Sequence, residues 1–168
     1  MKHSFLTIIF IATSIIAANS QKFGYVNTQE LLGGMSEIKI ADTQVKALQN
    51  EMVSKGEQMV IKFEDEYKAY MAQANSGTLS KLEMQKKEEV LVAKQEEIKS
   101  YENEIQLKVA AKREELYKPI LDKVKAEIAA LGKEGGYTII FDSSPGMLLH
   151  AADSENLLAL LKSKLGIN

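Results

Sequence analysis

The sequence predicts an α+β chain that is mainly α: a long antiparallel helical hairpin carried on a small β-rich base to which both termini contribute. Three observations carry this. Residues 36–73 and 80–117 form two stretches of equal length, 38 residues each, in which apolar side chains recur every three or four positions. Only one turn-like cluster, Ala74-Asn75-Ser76-Gly77-Thr78, separates them. Short runs rich in β-branched and aromatic residues fall outside both stretches, near the two ends of the chain. The composition agrees: 168 residues, 45% apolar and 26% charged, suit one folded domain, and no Trp, 10 Gly and 2 Pro suit long uninterrupted helices.

The elements follow in order. Met1-Lys2-His3 is positively charged, Phe5 to Ala18 is apolar, and Ala18-Asn19-Ser20 offers the small residues of a cleavage site. A 14-residue apolar run spans about 21 Å as a helix, short of the ~30 Å hydrocarbon core of a bilayer. Residues 1–20 therefore read as a secretory signal cut before Gln21, which directs the chain out of the cytoplasm. The mature chain keeps 20 basic and 23 acidic residues.

Residues 21–35 open the base. Residues 22–27 alternate apolar with small or polar residues and predict a strand. Thr28 is placed to cap a short helix through Leu31 and Leu32, with Gly33-Gly34 as its stop. The arm, residues 36–117, then begins with Ile38, Ala41, Val45, Leu48 and Met52, a coiled-coil seam. It continues through Met59, Phe63, Tyr67, Tyr70 and Met71 to a tip near residues 74–79, where Thr78 or Ser80 can cap the second helix. The return carries Leu82, Val90, Leu91, Ile98, Tyr101, Ile105, Val109 and Leu116.

Residues 118–168 complete the base. Pro119 predicts a kink where the carbonyl of Glu115 loses its partner. Gly132 to Gly136 ends the helix, Tyr137 to Asp142 predicts a buried strand, Ser143 to Gly146 a turn, and residues 147–150 a returning strand. Asp153 is expected to cap a terminal helix over residues 153–165. Three short strands and one helix make a small core, and Ile139, Ile140 and Phe141 in succession need cover on both faces. Oligomerisation through the base meets that need.

Chemistry is sparse. A net charge of -2 supplies no field for nucleic acid. With no Cys and only His3 and His150, thiol nucleophiles, Cys-rich zinc sites and most imidazole acid/base schemes are excluded. Gly132-Lys133-Glu134-Gly135-Gly136 lacks the spacing of a phosphate loop, so no nucleotide is expected. Ser143 and Ser144 lie in no nucleophile-elbow pattern. Glu64-Asp65-Glu66 and Lys86-Lys87-Glu88-Glu89 read as solvated helix faces rather than metal or partner sites. The sequence predicts no enzyme, no cofactor and no metal.

Gly24-Tyr25-Val26-Asn27-Thr28-Gln29-Glu30-Leu31-Leu32, Gly136-Tyr137-Thr138-Ile139-Ile140-Phe141-Asp142 and Gly146-Met147-Leu148-Leu149-His150, flanking a long helical middle, resemble the Skp/OmpH family of periplasmic chaperones. The resemblance implies a periplasmic homotrimer whose base is assembled from three chains, with helical hairpins around a cavity that holds unfolded outer-membrane β-barrel proteins without nucleotide. Phe23, Tyr25, Val26, Tyr137, Ile139, Ile140, Phe141, Leu148 and Leu149 are the expected trimer base. Met59, Phe63, Tyr67, Tyr70, Met71, Leu79 and Leu82 are the expected client surface, since methionine adapts in shape and aromatics offer broad contact. The family's best-known members are basic. Here residues 36–73 hold 5 basic and 7 acidic residues and residues 80–117 hold 8 and 9, so no lipopolysaccharide site is carried over. The alternative is a structural coiled-coil envelope spacer or adaptor that binds one folded partner.

Overall fold

The computed structural model describes residues 21–144, 146 and 148–167. Residues 1–20, the expected signal, lie outside them, as do Pro145, Met147 and Asn168. The elements are strand β1 (Lys22–Val26), helix α1 (Thr28–Gly34), helix α2 (Ser36–Asn75), helix α3 (Lys81–Glu134), strand β2 (Tyr137–Asp142), a 3-10 turn (Asp153–Glu155) and helix α4 (Leu158–Leu165). They divide into two compact units: the described residues up to Gly34 with those from Lys125 onward, and Met35–Val124.

In the first unit, β1 and β2 pair in parallel, with Gly24 opposite Ile140 and Val26 opposite Asp142. Gly24 allows close packing here, since a Cβ at this position would lie 2.7 Å from the Leu157 side-chain end and 3.0 Å from the Tyr137 ring and would displace both. Val26, Leu31, Leu131, Leu157 and Leu161 are buried. Helix α1 is capped by Asn27, whose side-chain oxygen accepts from the Glu30 amide at 2.9 Å. Thr28, expected as the cap, does something else. Its hydroxyl donates to Asp142 Oδ2 at 2.6 Å, while Asp142 Oδ1 accepts from the amides of Thr28 (3.2 Å) and Ser144 (2.9 Å). Helix α3 ends at Gly136, in the left-handed region at φ 66°, where an L side chain is strained.

The returning strand is corrected. Leu148, Leu149 and His150 carry no regular structure, and the chain beyond them passes to β1 instead of doubling back on β2. Asn156 forms a single parallel bridge with Tyr25, and the Leu157 amide donates to the Tyr25 carbonyl at 2.8 Å. A turn directly after β2 would have favoured an antiparallel return; the contact made is parallel and on β1. The terminal helix is also shorter than expected, because Asp153 opens only the 3-10 turn. Asn156 Oδ1 then accepts from the Leu158 amide at 3.0 Å to start α4.

In the second unit, residue pairs between α2 and α3 progress in opposite directions. Glu37 meets Lys123, Asp42 meets Tyr117, Glu66 meets Lys94 and Tyr70 meets Glu88. Helix α3 runs through Pro119 to Glu134, so the expected helix does continue past the proline to the glycines that follow Leu131. One missing amide and one freed carbonyl are outweighed by the buried neighbours Ile120 and Val124. Helix α2 buries Ile38, Ala41, Val45 and Met52 but fully buries nothing beyond them. Polar ties accompany the seam at both ends, and Leu91 of α3 is buried in the part where α2 buries nothing further.

Asp142 feels opposing influences. Burial raises its pKa, but the hydrogen bonds from Thr28 and Ser144 outweigh it and hold the carboxyl below its ordinary value. A depressed native pKa contributes stability above the unfolded value, about pH 4, that is lost as pH falls through the native value. Asp142→Ala is expected to lower stability by about 1 kcal/mol at neutral pH, solvent exposure keeping the loss modest. Thermal unfolding curves of the variant and the parent should converge as the pH is taken below about 4.

Candidate functional site

Among the described residues no cluster of three His, Cys, Asp or Glu could hold a metal ion, and no helix is long and apolar enough to cross a membrane. What the second unit offers is an apolar surface along two helices. The first helix reaches the tip at Asn75, where Ser76 Oγ and Thr78 Oγ1 donate to the Gln73 carbonyl at 2.9 and 3.1 Å. The second helix starts in a capping box. The Glu83 amide donates to Ser80 Oγ at 3.3 Å, and the Ser80 amide donates to Glu83 Oε2 at 2.8 Å. The Ser80 hydroxyl also donates to this carboxylate, and these bonds hold the Glu83 pKa below its ordinary value.

The expected client residues divide by exposure. Tyr67, Met71 and Leu82 stand open to solvent, Leu82 at 61% exposure. Met59, Phe63, Tyr70 and Leu79 are half-buried. Phe63 and Tyr67 stack with ring centroids 6.2 Å apart. The Tyr70 hydroxyl donates to Glu88, which raises the phenol's pKa above its ordinary value. Tyr117 donates likewise to Asp42, with the same upward effect. Two tyrosine–carboxylate contacts thus tie α2 to α3, one near the tip and one near residue 117.

Between those ties lies a groove that the periodic reading passed over. It is lined by Val53, Gly56, Val60 and Ile61 of α2 and by Ile98, Tyr101 and Ile105 of α3, and encloses about 540 Å³. Val53, Val60 and Ile61 are exposed, Ile61 at 58%. Glu57 and Glu102 also line it, and neither forms an ion pair among the described residues. The available signal was the heptad spacing of Val53, Val60 and Tyr67, which sets a second apolar stripe beside the seam.

The expected base residues stand differently. Val26 is buried, and Tyr25, Tyr137, Ile140 and Leu148 are half-buried. Phe23, Ile139 and Phe141 are 41–46% exposed and Leu149 is 95% exposed. Phe23 and Phe141 lie side by side, 6.3 Å between ring centroids. The described residues cover Phe23, Ile139 and Phe141 only in part and leave Leu149 almost fully open. His150 is exposed and lines a shallow pocket with Phe23, Tyr25 and Phe141.

The family described as Outer membrane protein (OmpH-like) matches residues 22–165, and the chain belongs to it. No curated protein matches the chain. A solved structure of an OmpH-like candidate outer-membrane chaperone from Caulobacter crescentus CB15 has a similar fold. It superposes with a TM-score of 0.72 at 14% sequence identity, over 86% of this chain and 83% of that one.

Replacing Ser80 with Ala is expected to speed amide exchange at residues 81–84, where the capping box holds the first turn of α3. Exchange at residues 120–124, beside the buried Ile120 and Val124, should not change. Hydrogen exchange read by mass spectrometry checks both.

Proposed function

We propose that this chain is an ATP-independent periplasmic holdase. It binds unfolded outer-membrane β-barrel proteins in a cavity between helical arms of a homotrimer and prevents their aggregation. The observation that carries the reading is the run of solvent-open apolar side chains on α2 and α3, from Val53 to Met71 and at Leu82, Val90 and Val92. Such a surface is an interaction site in a soluble chain. Each contact is small and easily broken, so a client is kept from collisions and released without nucleotide.

The exposed Phe23, Ile139, Phe141 and Leu149 support a base shared among copies. A two-stranded parallel sheet with the Phe23, Ile139 and Phe141 face open is only marginally stable, and neighbouring copies would supply the missing cover. Membership of the OmpH-like family over residues 22–165 supports the chaperone class.

Aggregation assays test the reading. The mature chain should suppress light scattering by several unrelated urea-unfolded barrels at near-stoichiometric amounts. Replacing residues 62–98 by a short turn should leave a folded oligomer that no longer protects. Protection by the shortened protein would move the client site off the arms, and protection of only one folded partner would favour an envelope adaptor.

Sedimentation tests the base. The parent should run as three chains, and Phe141→Asp should run lighter, because a charge buried unpaired in a shared apolar core costs several kcal/mol. An unchanged mass for the variant would refute the proposed base.

A further inference from the structure

The groove between Val53–Ile61 and Ile98–Ile105 contains a residue that helix packing does not call for. Gly56 sits inside a 40-residue helix, where glycine is less favourable than alanine by roughly 1 kcal/mol. Crowding does not explain it. A Cβ at Gly56 would meet the Tyr101 ring at 3.6 Å and Ile105 at 3.8 Å, ordinary van der Waals contact. The missing side chain instead keeps the floor of the groove open.

The rim adds a second observation. Glu57 and Glu102 flank the apolar floor, one from each helix, and neither has an ion-pair partner among the described residues. Glu66 and Glu104 are engaged, with Lys94 and Lys108, while Glu51, Glu96 and Glu97 form no ion pair among the described residues but do not line the groove. Lys55, beside Gly56 on α2, holds its ammonium 5.1 Å from the Tyr101 ring centroid. Two free carboxylates around an apolar floor complement a segment that carries cations beside large apolar side chains. A groove-to-groove self-contact is disfavoured, since it would bring the same acids against these.

We propose that this groove seats a client segment in which bulky apolar residues are flanked by Lys or Arg. The assignment rests on the holdase reading and adds to it a sequence preference within unfolded clients. The floor takes the apolar side chains, and Glu57 and Glu102 receive the flanking cations. An exposed ion pair contributes up to about 1 kcal/mol, so the preference is a bias of several-fold rather than an absolute requirement. A holdase benefits from contacts of that size, because release stays fast.

The test uses the full mature protein and two fluorescent, unstructured probe peptides. Both share one apolar-aromatic core, flanked by Lys in one and by Glu in the other. Binding anisotropy at low salt should favour the Lys peptide by about fivefold or more, equivalent to about 1 kcal/mol. The double variant E57Q/E102Q should bring the two peptides within about twofold of each other. Gly56→Leu should weaken both, its side chain occupying the floor, with the helical circular dichroism retained. Equal binding of the two peptides by the parent, or full binding by a helical Gly56→Leu protein, would overturn the assignment.

A readout independent of helix stability comes from the absence of cysteine in the sequence. Val60→Cys places a single thiol in the groove, and saturating Lys peptide should slow its alkylation several-fold; an unslowed rate would overturn the assignment. The two readings fail separately. A parent protein that protects unfolded barrels but shows no peptide preference loses the groove assignment alone. One that binds the Lys peptide as expected yet protects no barrel retains the groove and loses the holdase reading.

Discussion

Everything in the fold depends on the parallel pairing of β1 with β2. It joins segments that are far apart in the chain: Thr28 and Asp142, bonded through hydroxyl, amide and carboxylate, are separated by 114 positions. A parallel pair cannot be closed by a tight turn, so the intervening chain must travel away and come back. Two helices joined by a short turn satisfy that condition with no further domain. The closure entropy of so long a loop is offset only if the loop is itself ordered, which the contacts between α2 and α3 provide. The carboxylate of Asp142 therefore sits where the whole excursion is tied off.

The two units are held by different physics. The first concentrates its burial in a few leucines and Val26, around a sheet too small to cover its own faces. The second has a buried seam at Ile38, Ala41, Val45 and Met52, with tyrosine–carboxylate and lysine–glutamate contacts beside it and again towards the tip. Surface contacts of the second kind add little stability each. They do fix which residue lies opposite which, and they leave apolar side chains in the middle of the helices open to solvent. A chain that buried those residues would be more stable and would have less to offer a ligand.

Much of this was legible in the sequence. The three-and-four spacing of Ile38, Ala41, Val45 and Met52 marks the buried face of α2, and the β-branched run Thr138-Ile139-Ile140 marks β2. Periodicity reports a local preference, and it misled where a distant partner decided the outcome. Leu148 to His150 look like a strand, but a strand exists only if an edge is presented in register, and here the chain reaches β1 eight residues after Leu148, at Asn156. Thr28 looks like a cap, yet the carboxylate of Asp142 competes for its hydroxyl and Asn27 takes the role. Pro119 is a different case: the apolar period runs on through Ile120 and Val124, and the helix continues past the proline as that period predicts. The groove was overlooked for another reason. Gly56 and Glu57 are unremarkable residues taken singly, and only the helix opposite turns them into a floor and a rim.

The opposed ladder of contacts also restricts how the chain can change its length. Each tie, from Glu37 with Lys123 to Tyr70 with Glu88, matches one position going out with one coming back. A single inserted residue in either helix would rotate all later side chains by about 100° and misalign every tie beyond it. Removing or adding about seven residues in both helices at matched positions would restore the facing surfaces, since two turns nearly complete a repeat. Arm length in such a protein is thus quantised. The depth of space that two helices can line is adjustable in steps of roughly 10 Å, the rise of one such repeat, and not by smaller amounts.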